Sequence, residues 1–148
     1  MISPELLRRY PYFAGVSDQS VKEIAMIAEE KRVPAGTRMF GEGDPAKFMY
    51  IINKGEVNID YLLGDGTIRT VDTLVDGDLL VWSALIEPYK TTAIGTATKD
   101  CELVCIDAAG LRALCEKDPL LGYRLTGQVA KLLANRLEGA RVQLAAVD

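Results

Sequence analysis

The apolar positions of this chain change period twice. Near the start, Leu6, Leu7 and Tyr10 fall at helical spacing before Pro11 ends that turn. Val21, Ile24, Ala25, Ile27 and Ala28 then form a stripe with the helical period, preceded by Ser17-Asp18-Gln19-Ser20 as a capping segment. Residues 1–30 are therefore expected to be a helical lead. From Lys31 the pattern switches to short strands. Phe48-Met49-Tyr50-Ile51-Ile52 is one run, Val57, Ile59, Tyr61 and Leu63 alternate, and Val71 to Val75 and Cys101 to Ile106 follow. Turn segments separate them: Pro34-Ala35-Gly36, Gly41 to Pro45, Asn53-Lys54-Gly55, Gly64-Asp65-Gly66 and Asp76-Gly77-Asp78. This is the rhythm of an all-β sandwich or barrel, expected over 31–107. Asp65-Gly66 between two such runs reads as a hairpin turn of the primed type, which needs positive φ.

Residues 108–148 return to the helical period. Asp118-Pro119 is a helix start, a capping carboxylate followed by proline at the first helical position. Beyond it, Val129, Leu133, Leu137, Ala140, Leu144 and Val147 step by three and four, close to a heptad seam with Lys131, Arg136, Glu138 and Arg141 off it. Two readings stay open. The stripe packs on its own β-domain, or it pairs with its copy in a second subunit as a homodimer interface.

Composition narrows the function classes. The chain has 148 residues, the size of a single domain spanning 1–148. A net charge of −4 argues against non-specific binding to nucleic acid or anionic membrane. With no histidine, the chain lacks the commonest general base, the commonest metal ligand and the usual haem ligand, so no metal or haem is expected. The cysteines are Cys101, Cys105 and Cys115, an odd and sparse set that reads as reduced thiols in a cytoplasmic protein. No nucleophile–base pair or paired-carboxylate motif is evident, and Gly41-Glu42-Gly43 is not followed by the GK[ST] of a phosphate loop. The chain is expected not to be an enzyme.

Four ordered glycine turns carry a resemblance. Pro11-Tyr12-Phe13-Ala14-Gly15-Val16-Ser17 is similar to a "PxFxGLS" opening. Pro34-Ala35-Gly36 with Met39-Phe40-Gly41-Glu42-Gly43-Asp44 resembles "xxGxxLFxEGD". Tyr50 to Val57 resembles "YxIxxGxVxV", and Leu74-Val75-Asp76-Gly77-Asp78-Leu79-Leu80 resembles "LxxGDxFG". The pattern resembles the cyclic-nucleotide-binding domain of catabolite-activator/FNR-type regulators, from about Tyr10 to Asp107 and into the terminal helix. The resemblance implies a mainly β fold with flanking helices: a double-stranded β-helix jelly roll with N-terminal helices and a long C-terminal helix. It also implies a non-enzymatic ligand-sensing role. Regulators of this type place a helix-turn-helix after the long helix. None is legible here, so DNA binding by this chain alone is not expected.

In the family a nucleotide lies under the roll, its phosphate on a short helix and an arginine, its ribose on a glutamate. The cassette here runs from Gly77 to Ala93 and departs from that pattern. Val81-Trp82 stands where the family has Gly-Glu, and Thr91 where it has the arginine, with Lys90 beside it. Lysine offers a point charge and not a fork. The candidate ligand-binding residues are Leu80, Val81, Trp82, Ser83, Ala84, Lys90, Thr91 and Thr92, with the short helix at Ser83-Ala84 expected to offer unpaired N–H groups. The candidate dimer residues are Val129, Leu133, Leu137, Ala140 and Leu144, and Arg136 is a candidate to face the pocket. A cyclic nucleotide is doubtful as ligand. Either Trp82 fills a dead pocket or the pocket takes a different, flat or apolar ligand. A sensor acting on a protein partner, a sensory fragment of a transcription factor and a ligand-free dimerisation module all fit these residues.

Overall fold

The structure, a computed structural model, describes residues 1–146. Helix α1 (Pro4–Arg8) starts at Ser3, whose side chain caps the Glu5 amide. Tyr10 lies beyond α1 and leads into a single 3-10 turn, Pro11–Phe13. Helix α2 (Asp18–Met26) is capped by Ser17 on the Ser20 amide, as the capping segment predicts. The helical lead ends sooner than expected. Ala28–Val33 is strand β1, paired antiparallel with β8 (Cys101–Asp107) from Ala28 opposite Ile106 to Val33 opposite Cys101. The apolar stripe runs on through Ala28, but pairing with a central strand overrides that local pattern.

The remaining strands are β2 (Arg38–Phe40), β3 (Phe48–Lys54), β4 (Val57–Leu62), β5 (Ile68–Leu74), β6 (Leu79–Leu80) and β7 (Ile94–Ala97). They form two antiparallel sheets, ordered β1-β8-β3-β6 and β2-β7-β4-β5. Helices flank them, so the jelly-roll expectation is met. β8 is the hub of the first sheet. Leu103, Val104 and Ile106 are all essentially buried, so both of its faces are covered. This is why Cys101 to Ile106 reads as an almost continuous apolar run. Short β2, β6 and β7 lack such a run and are not legible as strands.

The β4–β5 hairpin differs from the expected primed turn. Only Gly66 has positive φ, at 85°. The Gly66 amide donates to the Leu63 carbonyl (3.0 Å) and the Leu63 amide to Thr67 (2.8 Å). That is a three-residue loop closing on a left-handed glycine, the other common hairpin solution.

Helix α3 (Ala108–Lys117) is capped by Asp107 on the Gly110 amide at 2.7 Å. Helix α4 (Pro119–Ala145) is capped by Asp118, which also accepts from the buried Ser20 hydroxyl at 2.7 Å. The first half of α4 belongs to the core: Leu121, Leu125 and Val129 are buried. Val129 therefore leaves the expected dimer seam, because it packs inside its own chain. The second half is bare, with Leu137 61% and Leu144 75% exposed. Val147 of the seam lies outside the described residues. No helix among the described residues is long and apolar enough to cross a membrane.

Candidate functional site

A cavity of about 920 Å³ lies between the roll and α4. That is the size of a site for a small organic ligand. On the roll side, β6 delivers Leu80 into its wall, and the chain then turns at Val81 with φ of 66°. A β-branched residue rarely adopts that left-handed conformation. Glycine would hold it without strain; valine instead adds a side chain to the cavity wall. One 3-10 turn, Trp82–Ala84, follows. The Ala84 amide is not free for a ligand: it donates to the Val81 carbonyl at 3.1 Å. The Ala84 carbonyl accepts from the Arg112 guanidinium of α3 at 2.8 Å, and that guanidinium stacks 4.2 Å from the Tyr89 ring centre. The cassette is thereby fixed from behind.

Ser83 is 4% exposed and lines the cavity. Among the described residues its hydroxyl has no hydrogen-bond partner, and it is not an orphan sealed in protein. Its oxygen therefore keeps access to space that a ligand or water can fill.

Thr91 stands where the resemblance places the phosphate-binding arginine, and its hydroxyl is already committed. It donates to the Gly41 carbonyl and accepts from the Asp44 amide at 3.1 Å. Its backbone is laced to the same turn, with the Thr91 amide on the Asp44 carbonyl and the Gly43 amide on the Thr91 carbonyl, both at 2.8 Å. Thr91 closes the 41–44 turn onto the cassette. Lys90 pairs by its backbone with Pro45, is exposed, and is absent from the cavity lining. Of the eight candidate ligand residues, the fold brings Leu80, Val81, Trp82, Ser83, Thr91 and Thr92 to the cavity and leaves Ala84 and Lys90 outside it.

The charge in the cavity sits on the α4 wall. Arg136 Nη2 donates to the Leu79 carbonyl at 2.9 Å, and its Nε lies 3.8 Å from Asp72 Oδ2. Burial pushes the Arg136 guanidinium pKa down, against the pull of Asp72 and Asp78. Tyr12 joins the same corner, its hydroxyl donating to the Gly77 carbonyl at 2.8 Å. Burial, then Asp78, pushes that phenol up. Leu133, Leu137 and Ala140, expected at a dimer seam, also line this cavity, whereas Leu144 does not.

Asp72, Lys131 and Gln128 are cavity residues that the sequence reading did not single out. A signal for the α4 set exists: Gln128, Leu132, Arg136, Gly139 and Gln143 recur at helical spacing one face away from the Leu133–Leu144 stripe. Asp72 has no such signal, since it reaches the site only through the β4–β5 pairing.

The thiols take no part in the cavity lining. All three cysteines are free, and burial pushes Cys105 up to about 11, so it is protonated at neutral pH and a poor nucleophile.

Comparison with known proteins adds the following. The profile of the cyclic nucleotide-binding domain matches residues 30–118. The chain is 28% identical over 134 residues to the Cyclic AMP receptor protein of Thermus thermophilus, covering 90% of this chain and 60% of that protein. It is 26% identical over 141 residues to the CRP-like cAMP-activated global transcriptional regulator of Mycobacterium tuberculosis, covering 95% of this chain and 61% of that one. The chain thus spans about three fifths of these curated relatives' length. A putative cyclic nucleotide-binding protein of Geobacter metallireducens superposes with a TM-score of 0.84 at 38% identity, over 93% of this chain and 99% of that one.

Proposed function

This chain belongs to the cyclic nucleotide-binding domain family, and from that premise we propose that it is a non-enzymatic sensor whose ligand site is the cavity between the roll and α4. The observation that carries this reading is Ser83, a residue 4% exposed that lines the cavity and whose hydroxyl, unpartnered among the described residues, is not sealed off from open space. A domain kept only as scaffold has no need to leave such a group unmet. α4 forms the opposite wall, so a ligand there touches the helix that leads out of the domain.

The ligand is not a tightly held cyclic nucleotide. The guanidinium position is a threonine bonded into the protein, the carboxylate position is Trp82, and Lys90 stays outside. Each charged partner lost from a desolvated contact costs about 2–5 kcal/mol. Trp82 is the sole tryptophan of the chain, so its fluorescence reports on this site alone. Titration with cyclic AMP is expected to leave it unchanged up to millimolar concentration, whereas a panel of small aromatic and heterocyclic acids is expected to include saturable quenchers that also raise the melting temperature. A micromolar cyclic AMP response overturns the ligand assignment. Silence across the whole panel overturns the sensor reading.

A second reading concerns assembly. Leu137 and Leu144, one heptad apart on one face of α4, are each more than 60% exposed. We assign this stripe to a two-fold helix pairing with a second copy, the self-matching contact a symmetric dimer requires. Leu137→Asp with Leu144→Asp should halve the mass seen by light scattering while leaving each β-roll folded by circular dichroism. A monomeric wild type, or a double variant of dimeric mass, contradicts it.

A further inference from the structure

Resting on the sensor reading above, we propose that the cavity takes a flat aromatic monocarboxylate, with its ring on Trp82 and its carboxylate at Arg136 and Lys131 of α4. The ligand is thereby reversed relative to a phosphate held in the cassette. Three observations lead there. The roll side offers no side-chain cation to an acid, because Thr91 is bonded into the 41–44 turn and Lys90 is outside the lining. Both cations that line the cavity, Arg136 and Lys131, lie on α4. Between the walls are apolar and aromatic groups, with Phe40, Ile59 and Trp82 among them.

The Arg136 guanidinium has capacity to spare. Nη2 is on the Leu79 carbonyl and Nε faces Asp72 at a long 3.8 Å, while Nη1 has no partner among the described residues. Lys131 makes no ion pair among the described residues. A planar acid suits the guanidinium fork, with Lys131 as a second point charge. Two carboxylates also line the cavity and limit where an acid can sit. Asp78 accepts from the Val75 amide at 2.9 Å and stays on the roll side. Asp72 holds the long pairing that a ligand carboxylate would share or replace. One acid fits this balance, and a dianion does not. Ser83, on the opposite wall, supplies a neutral hydrogen bond to a substituent at the far edge of the ring.

The test is calorimetric titration of the whole chain with 2-naphthoate and with its uncharged analogue, 2-naphthalenemethanol. The acid is expected to bind roughly tenfold tighter than the alcohol, the size of one charge-assisted hydrogen bond. Lys131→Gln, an exposed substitution that leaves the fold intact, should remove most of that preference; Arg136→Gln, which also releases the α4 wall from the Leu79 carbonyl, should weaken the acid more than the alcohol. If Arg136→Gln fails to fold by circular dichroism, Lys131→Gln carries the test. Equal affinity for acid and alcohol, or an acid preference that survives Lys131→Gln, overturns this inference and leaves the sensor cavity standing. Binding of neither, together with silence of Trp82 to the wider panel, overturns the sensor reading as well.

Discussion

The two walls of the cavity are built on different terms. The roll wall is fixed by its own hydrogen bonds: Thr91 to the 41–44 turn, and the cassette carbonyl of Ala84 to Arg112. Leu80 behind it is 1% exposed. The α4 wall beyond Val129 has little of this. Leu132 rests on the core and Leu133 is half-buried, Leu137 is largely exposed, and Arg136 bonds the helix to the Leu79 carbonyl. One wall is part of the folding core. The other is a helix resting on that core, free to respond to what lies between them. On the proposed sensor reading, stability and signal fall to different residues of one site.

Substitutions in the two walls should separate sharply. Leu80→Asp places an unpaired charge in the core and should cost about 4 kcal/mol or more, enough to unfold the chain in urea titrations. The same change at Leu137, on the α4 wall, should stay within about 0.5 kcal/mol for the monomer. Equal costs would erase the distinction between the walls.

Thr91→Val probes the roll wall more finely. It keeps shape but leaves the Gly41 carbonyl and the Asp44 amide only their long 3.4 Å bond to each other, at about 1–3 kcal/mol. A neutral result would mean the hydroxyl is free, and Thr91 would return to the list of ligand contacts. Position 91 shows what a sequence reading reaches and where it stops. The roll and the Ser17 and Asp118 caps are legible. That the hydroxyl is used up is not, because its partners lie 47 and 50 residues away. Lys90 beside Thr91 in sequence looks like a substitute cation, yet the backbone pairing with Pro45 holds it outside. Ala28 fails for a related reason, since only the contact with Ile106 makes it a strand. What was missed lies in long-range pairing, which local periodicity does not encode.

Arg136→Met keeps the aliphatic stem and removes the Leu79 bond and the Asp72 pairing. The Asp72 pairing is long and its carboxylate half-exposed, so the loss is mainly the one Leu79 bond, about 1 kcal/mol. The larger consequence should be mobility: amide exchange over 131–143 should speed up, with 119–129 unchanged. Uniform change along α4 would show that the helix moves as one piece.

A further effect is alkaline, and it falls on the roll. Tyr50 and Cys105 face each other across β3 and β8, and burial pushes them up to about 12 and about 11. Both folded values lie above the unfolded ones, near 10 and 8.5. Their contribution is therefore complete below about pH 8.5 and is lost as the pH rises through 11 and 12. Urea midpoints should fall over that window, and less so in Tyr50→Phe with Cys105→Ala. An unchanged alkaline slope in the double variant would place the loss elsewhere.

The claim at the centre is that a ligand in the cavity acts on the second half of α4. Amide hydrogen exchange of the whole chain, with and without saturating 2-naphthoate, tests it directly. The account predicts slowed exchange in 79–83 and 131–143 and no change in 119–129. Protection confined to the roll, spread evenly over α4, or absent from both segments would contradict it.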